Sequence, residues 1–178
     1  MRILRTFFLV VLCVLAITLC VGHRGSAATK RVVAPADAEI VRVIRHYRVT
    51  TRRLQHVMGG RAVKLNPVSH ASLERARAVW RRRVVVARRH FLAGPPHRRA
   101  WLCIHRYEGA WSDRGAPYYG GLQMDLVFQA RYGGLLLRVK GTADNWTPLE
   151  QMWIAEKAFR AGRGFYPWPN TARYCGLI

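Results

Sequence analysis

"APYYGGLQM", residues Ala116 to Met124, decides the fold class of this chain. It reads as a short strand, a tight turn on two glycines and the entry to a helix near Asp125. Adjacent glycines give a turn the backbone freedom that other residues lack. The sequence on either side is helical in pattern. Upstream, a helix from about Arg98 to Glu108 would end at Gly109, a glycine placed just past a helix end. Downstream, "GTADNWTPLEQMWIAEKAFRAG" (141–162) holds a capping box, with Thr147 as N-cap, Pro148 at the first helical position and Glu150 two residues later. Gly162 would close that helix, with Leu149, Met152, Trp153 and Phe159 as its buried stripe. The cap also accounts for Asn145-Trp146-Thr147 better than a glycosylation sequon does. Residues 98–178 are therefore expected to be mainly α, with one very short β-hairpin.

The preceding segment has helical periodicity as well. Ile40, Val43, Ile44, Tyr47, Leu54, Val57 and Met58 recur at mostly helical spacing until Gly59-Gly60. A second pattern runs from about Ser69 to Leu92, through Leu73, Ala76, Val79, Trp80, Val84 and Ala87. Two helices joined by a short loop predict an α-helical hairpin over 29–97. Pro95-Pro96 marks its boundary. The chain begins with two early arginines, an uncharged run from Thr6 to Gly22, and then Ser26-Ala27-Ala28. This reads as a secretory signal over 1–28, cleaved after Ala28. The alternative is an uncleaved membrane anchor, because a run of 17 residues reaches the lower limit for a span. The expected location is secreted or cell-wall associated.

Charge separates the segments. The chain has 30 Lys and Arg against 9 Asp and Glu, a net charge of +21. Residues 29–100 hold 18 of the cations and 3 of the acids, whereas 101–178 hold 9 and 6. The basic excess thus belongs to the helical segment, most densely at Arg81-Arg82-Arg83 and Arg88-Arg89. One reading is a solvated face. The other is adhesion to anionic envelope polymers or acidic lipid. A nucleic-acid partner is not expected, since it would need neither a leader nor a disulfide. Cys13 and Cys20 lie in the apolar run. Cys103 and Cys175 remain, and an even pair in an exported chain suggests one disulfide, the alternative being two separate thiols. No Cys/His cluster has metal-ligand spacing, so neither metal nor cofactor is expected.

"CIHRYEGAW", residues Cys103 to Trp111, places one carboxylate, Glu108, in this setting. At the last turn of a helix the dipole disfavours negative charge. Trp101, Tyr107, Trp111, Tyr118 and Tyr119 offer apolar neighbours. Both effects penalise the ionised form, and a carboxyl that keeps its proton is a general acid. Taken alone, a solvated Glu108 or one paired with Arg106 or Arg114 is the simpler account.

The ordered set of motifs goes further. Trp101, Cys103, Glu108-Gly109, Trp111, Tyr118-Tyr119-Gly120-Gly121-Leu122-Gln123, Ala155-Glu156, Trp168-Pro169 and Cys175 resembles the transglycosylase-like domain of the resuscitation-promoting factors. These are secreted muralytic enzymes of the lysozyme superfamily. The family reads C-E-S-G-x-W, Y-Y-G-G-L-Q and W-P-x-C. In this chain Cys103 stands farther from the glutamate, the serine is missing, and extra residues separate Trp168-Pro169 from Cys175. The resemblance covers about 98–178. It implies a lysozyme-like domain that cleaves the β-1,4 bond after N-acetylmuramic acid in peptidoglycan, with Glu108 as the acid. It also implies a substrate surface of Trp111, Tyr119, Gly120, Gly121, Gln123 and Trp168. In that reading Gln123 bonds the sugar, the glycines let the backbone approach it, and Tyr119 and Trp168 are cleft walls. Asp113, Asp125 and Glu156 are candidates for a second carboxylate, although a single-acid mechanism is preferred. Trp101 and Trp153 are read as core residues and His105 as structural. The alternative is a non-catalytic peptidoglycan-binding module of the same fold.

Overall fold

The structure is a computed structural model, described here over residues 35–60 and 72–178. The expected leader lies outside those residues. The basic segment forms α1 (Pro35–Val57) and α2 (Leu73–Ala93). Two patches of packing fix their direction. Ile44, Leu73 and Trp80 share a small core with Ile40, Tyr47 and Ala76. At the other end, Val57, Met58 and Phe91 enter the main core. The start of α1 therefore meets the start of α2, and their ends meet too. The helices run parallel, which corrects the expected hairpin. The physical reason is linker length. The described second helix is Leu73–Ala93, and 15 residues separate Leu73 from Val57. Fully extended, these reach about 50 Å, more than the ~32 Å length of α2.

The remaining elements follow closely. They are α3 (Arg98–Glu108), β1 (Tyr118–Tyr119), β2 (Met124–Asp125), α4 (Leu126–Lys140), a 3₁₀ turn (Ala143–Asn145), α5 (Pro148–Ala158) and α6 (Pro169–Tyr174). The protein is mainly helical with one two-stranded antiparallel sheet among the described residues. In that sheet Tyr118 faces Asp125 and Tyr119 faces Met124. Asp125 also caps α4, its carboxylate accepting from Phe128 N at 2.6 Å. The capping box of α5 is complete: Thr147 accepts from Glu150 N and Glu150 accepts from Thr147 N. Such caps typically stabilise a helix by about 1 kcal/mol.

α5 is the central helix. Glu150 to Glu156 and Ala158 are all buried, so the four-residue stripe read from the sequence is too narrow. A helix buried on every side has other elements packed around it. The helix ends at Ala158 and passes into a wider π turn (Phe159–Arg163), where Gly162 has φ 89°. Trp101 and Trp153 are fully buried as expected. Glu156, at 1% exposure, accepts from Trp101 Nε1 at 2.9 Å and lies 3.1 Å from His97 Nδ1. It thus ties α5 to the start of α3, where a helix dipole favours an acid.

Ala34–Ile178 forms one compact unit that holds both cores, the sheet and the disulfide. Cys103 on α3 is bonded to Cys175, which follows α6, with Cα atoms 6.0 Å apart and a sequence separation of 72. Closing a loop of that length removes chain entropy from the unfolded state, by about 4 kcal/mol. Replacing both cysteines with serine is expected to lower unfolding free energy by about that amount in urea titrations. A loss below 1 kcal/mol would show that α6 docks without the bond. No helix among the described residues is long and apolar enough to cross a membrane.

Candidate functional site

Glu108 is the last residue of α3 and is half-buried. Its Oε1 accepts a hydrogen bond from Thr171 Oγ1 at 2.7 Å. Thr171 lies on α6, is itself buried, and its hydroxyl is also 3.3 Å from the Trp168 carbonyl. One hydroxyl carries one hydrogen and two lone pairs. It can donate to an ionised Glu108. It can equally accept from a protonated Glu108 and turn its own hydrogen to Trp168 O. Both protonation states of the acid therefore keep a partner, which suits a group that gives up a proton and takes one back. The expected alternative partners are absent. Arg114 pairs with Asp144 at 3.5 Å, and no cation lies within ion-pair distance of Glu108 among the described residues.

The helix does end at Glu108, and the chain leaves it in extended conformation at Gly109 (φ −177°, ψ −177°). Glycine is needed here for space: a Cβ would stand 2.9 Å from Gln123 Nε2 and 3.1 Å from Asp113 Oδ2. These two side chains are bonded to each other at 2.8 Å, and Gln123 Nε2 also donates to Gly120 O at 2.9 Å. Both amide hydrogens of Gln123 are thus used. Its Oε1 has no protein donor among the described residues and is the end left to accept from a ligand. Gln123 holds φ 45°, a conformation rare for a residue with a side chain. Strain of this kind concentrates at functional positions.

Other site residues have different roles from those expected. Trp168 is only 4% exposed; it packs on Trp101 and Phe128, and its Nε1 donates to Leu122 O at 2.6 Å. Its faces are spent on the core, so it is not a cleft wall. Gly120 and Gly121 make room for the protein's own side chains, not for a glycan. A Cβ on Gly120 (φ 74°) would stand 2.5 Å from Gln151 Oε1, and one on Gly121 would stand 2.6 Å from His105 Nδ1 and 2.7 Å from Trp111. Trp111 and Tyr119 are both partly exposed. Trp111 stacks on His105 with centroids 3.8 Å apart, and His105 Nδ1 lies 3.0 Å from Gly121 O, a structural position for that histidine.

The three spare carboxylates separate clearly. Glu156 lies at the start of α3 and Glu108 at its end. Eleven residues of helix are about 16 Å long, beyond the roughly 5–10 Å between paired glycosidase carboxylates. Asp125 is committed to capping α4. Asp113 is beside Gly109, but its oxygens accept from Gly115 N and Gln123 Nε2. It is a turn residue that also anchors Gln123.

Sequence reasoning missed three participants. Thr171 reaches Glu108 across 63 positions, which no local pattern reveals. Gln151, fully buried, accepts from Gly121 N at 2.9 Å and donates toward the carbonyls of Trp111, Ala143 and Trp146. An amide inside the apolar run "LEQMWIA" was the available signal. Tyr107, read as an apolar neighbour, is half-exposed and pairs with exposed Tyr174, centroids 5.7 Å apart. Cavities of about 590 and 670 Å³ open between the helix pair and Trp153 and beside the disulfide. Glu108 lines neither of them. Burial, reinforced by Arg160, lowers the Lys157 ammonium below its usual range, but this lies away from Glu108, on the buried helix α5.

Thr171→Val keeps the volume of the side chain and removes the hydroxyl. Were Glu108 to act as a general acid, this would slow turnover about tenfold, the kinetic equivalent of one bond to a charged group. Thr171→Ser should restore most of the rate. Steady-state kinetics with matched melting temperatures checks this.

No protein-family description, curated protein or solved structure matches the chain.

Proposed function

We propose that this protein cleaves the glycan strands of peptidoglycan through a lysozyme-like domain, with Glu108 as its single acid and base. The observation that carries the reading is the Glu108–Thr171 pair: a half-buried carboxyl at a helix C-terminus, free of any cation among the described residues, whose hydroxyl partner serves both protonation states. The motif resemblance supplies the substrate class.

In this reading Glu108 gives its proton to the bridging O4 oxygen as the bond from C1 of N-acetylmuramic acid to that oxygen breaks. The N-acetyl carbonyl oxygen of the same sugar bonds to C1 and takes up the positive charge. Glu108, now ionised, accepts the proton of the muramyl O6 hydroxyl as that oxygen attacks C1 and releases the acetamido group. The product is a 1,6-anhydro sugar. If water attacks in place of O6, the product is a reducing end. The absence of a well-placed second carboxylate among the described residues favours assistance by the substrate's own amide. Gln123 Oε1 would accept from a sugar hydroxyl or amide, with Trp111 and Tyr119 packing on ring faces.

The test is digestion of purified peptidoglycan with product mass spectrometry. Anhydro-muropeptides or new reducing ends from the wild type support the reading. Binding to the wall with no soluble product would make the protein a peptidoglycan-binding module instead.

A further inference from the structure

α2 buries Leu73, Trp80, Val84 and Ala87 along one line. Placing its residues at 100° intervals puts Arg75, Ala78, Arg82, Val85, Val86 and Arg89 on the opposite face, with Arg81, Arg88 and Leu92 at its margin. This face has two unusual properties together. The helix carries seven arginines, no lysine and one acid, Glu74, which is paired with Arg77. Arg83 is spent on the Trp80 ring, 4.7 Å from its centroid. Arg75, Arg81, Arg82, Arg88 and Arg89 have no carboxylate within ion-pair distance among the described residues. Between them stand exposed apolar side chains: Val85 at 47%, Val86 at 65% and Leu92 at 64%.

Neither property serves the fold. Like charges one helical turn apart destabilise a helix. Valine is a poor helix former, and of Val84, Val85 and Val86 only Val84 is buried. A soluble polyanion would satisfy the arginines and leave the valines in water. A lipid surface satisfies both: guanidinium groups make paired hydrogen bonds to phosphate, and short apolar side chains enter the boundary between headgroups and acyl chains.

We infer that the outer face of α2 docks on an anionic phospholipid bilayer, with Arg82 and Arg89 on headgroup phosphates and Val85, Val86 and Leu92 in the interface. This does not depend on the chemistry of Glu108.

The test is vesicle co-sedimentation with residues 29–178, which contain the whole compact unit and lack the apolar run. The vesicles are phosphatidylcholine alone or with one-third phosphatidylglycerol. Near-ultraviolet circular dichroism confirms that each variant is folded. The expected result is binding to the mixed vesicles at least tenfold tighter than to neutral ones. Replacing Arg81, Arg82, Arg88 and Arg89 with glutamine should abolish that difference. Val85→Ser with Val86→Ser should weaken vesicle binding at least threefold and leave binding to soluble polyphosphate unchanged. Equal affinity for neutral vesicles, or full binding by the glutamine variant, would overturn the proposal. Full vesicle binding by the serine variant would make the face a polyanion site and overturn docking on lipid. Tighter binding to duplex DNA than to vesicles would overturn it in favour of nucleic acid.

Discussion

Under the proposed function, Glu108→Gln is expected to slow glycan-strand cleavage by about 10²- to 10⁴-fold, the usual contribution of a positioned general acid. The substitution is close to isosteric. The amide keeps an oxygen that can accept from Thr171 Oγ1, so the contact between α3 and α6 survives. The amide has no proton to give to a leaving oxygen, so only the chemistry is removed. Soluble muropeptides released per unit time measure the effect, and an unchanged melting temperature excludes a fold defect. The profile across variants is informative. Thr171→Val should lose about tenfold, because the acid is present but less well held. A Glu108→Gln protein that lyses wall at the wild-type rate would remove Glu108 from the reaction and end the proposed mechanism.

The largest effect of a single substitution on stability is expected at Gln151. Gln151→Leu preserves volume but strands the Gly121 N–H and removes the donor that serves the Trp111, Ala143 and Trp146 carbonyls. A buried polar group left without a partner costs about 1–3 kcal/mol. Two or three such groups at this position predict a loss of about 3–5 kcal/mol. That is a large share of the 5–15 kcal/mol that holds a typical domain folded. Urea unfolding should show it as a lowered midpoint with an unchanged slope. A loss under 1 kcal/mol would mean that the glycine turn stands without its tether. The same variant is predicted to disturb Trp111 and His105, since the turn that Gln151 holds is the surface on which both pack.

How much is legible in the sequence depends on the range of the interaction. The capping box of α5 needs four adjacent residues, and the sequence shows all of them. The short sheet is legible for the same reason: Gly120 and Gly121 mark the turn and the tyrosines mark the strand. Glu108 stands out because it is a single acid in an aromatic setting. Longer-range facts are not legible. Periodicity shows which face of a helix is apolar but not how many neighbours surround it, so α5 reads as having one buried side when it is covered all round. Trp168 and a cleft-wall tryptophan have the same letter, and only burial separates them. The roles of Gly120 and Gly121 depend on Gln151, His105 and Trp111, which arrive from three other segments. Thr171 needs the packing of α6 on α3. The parallel course of α1 and α2 is hidden because 15 residues permit the chain either to turn back or to run the length of the pair.

That parallel course has a geometric consequence. A hairpin would return the chain to the place it started. Two helices pointing the same way displace it, so Arg98 begins α3 about one helix length, ~32 Å, from the end at which Pro35 enters. The pair thereby acts as a spacer that sets the start of α3 apart from the start of α1. Shortening both helices by the same number of turns would bring those two points closer by about 5 Å per turn.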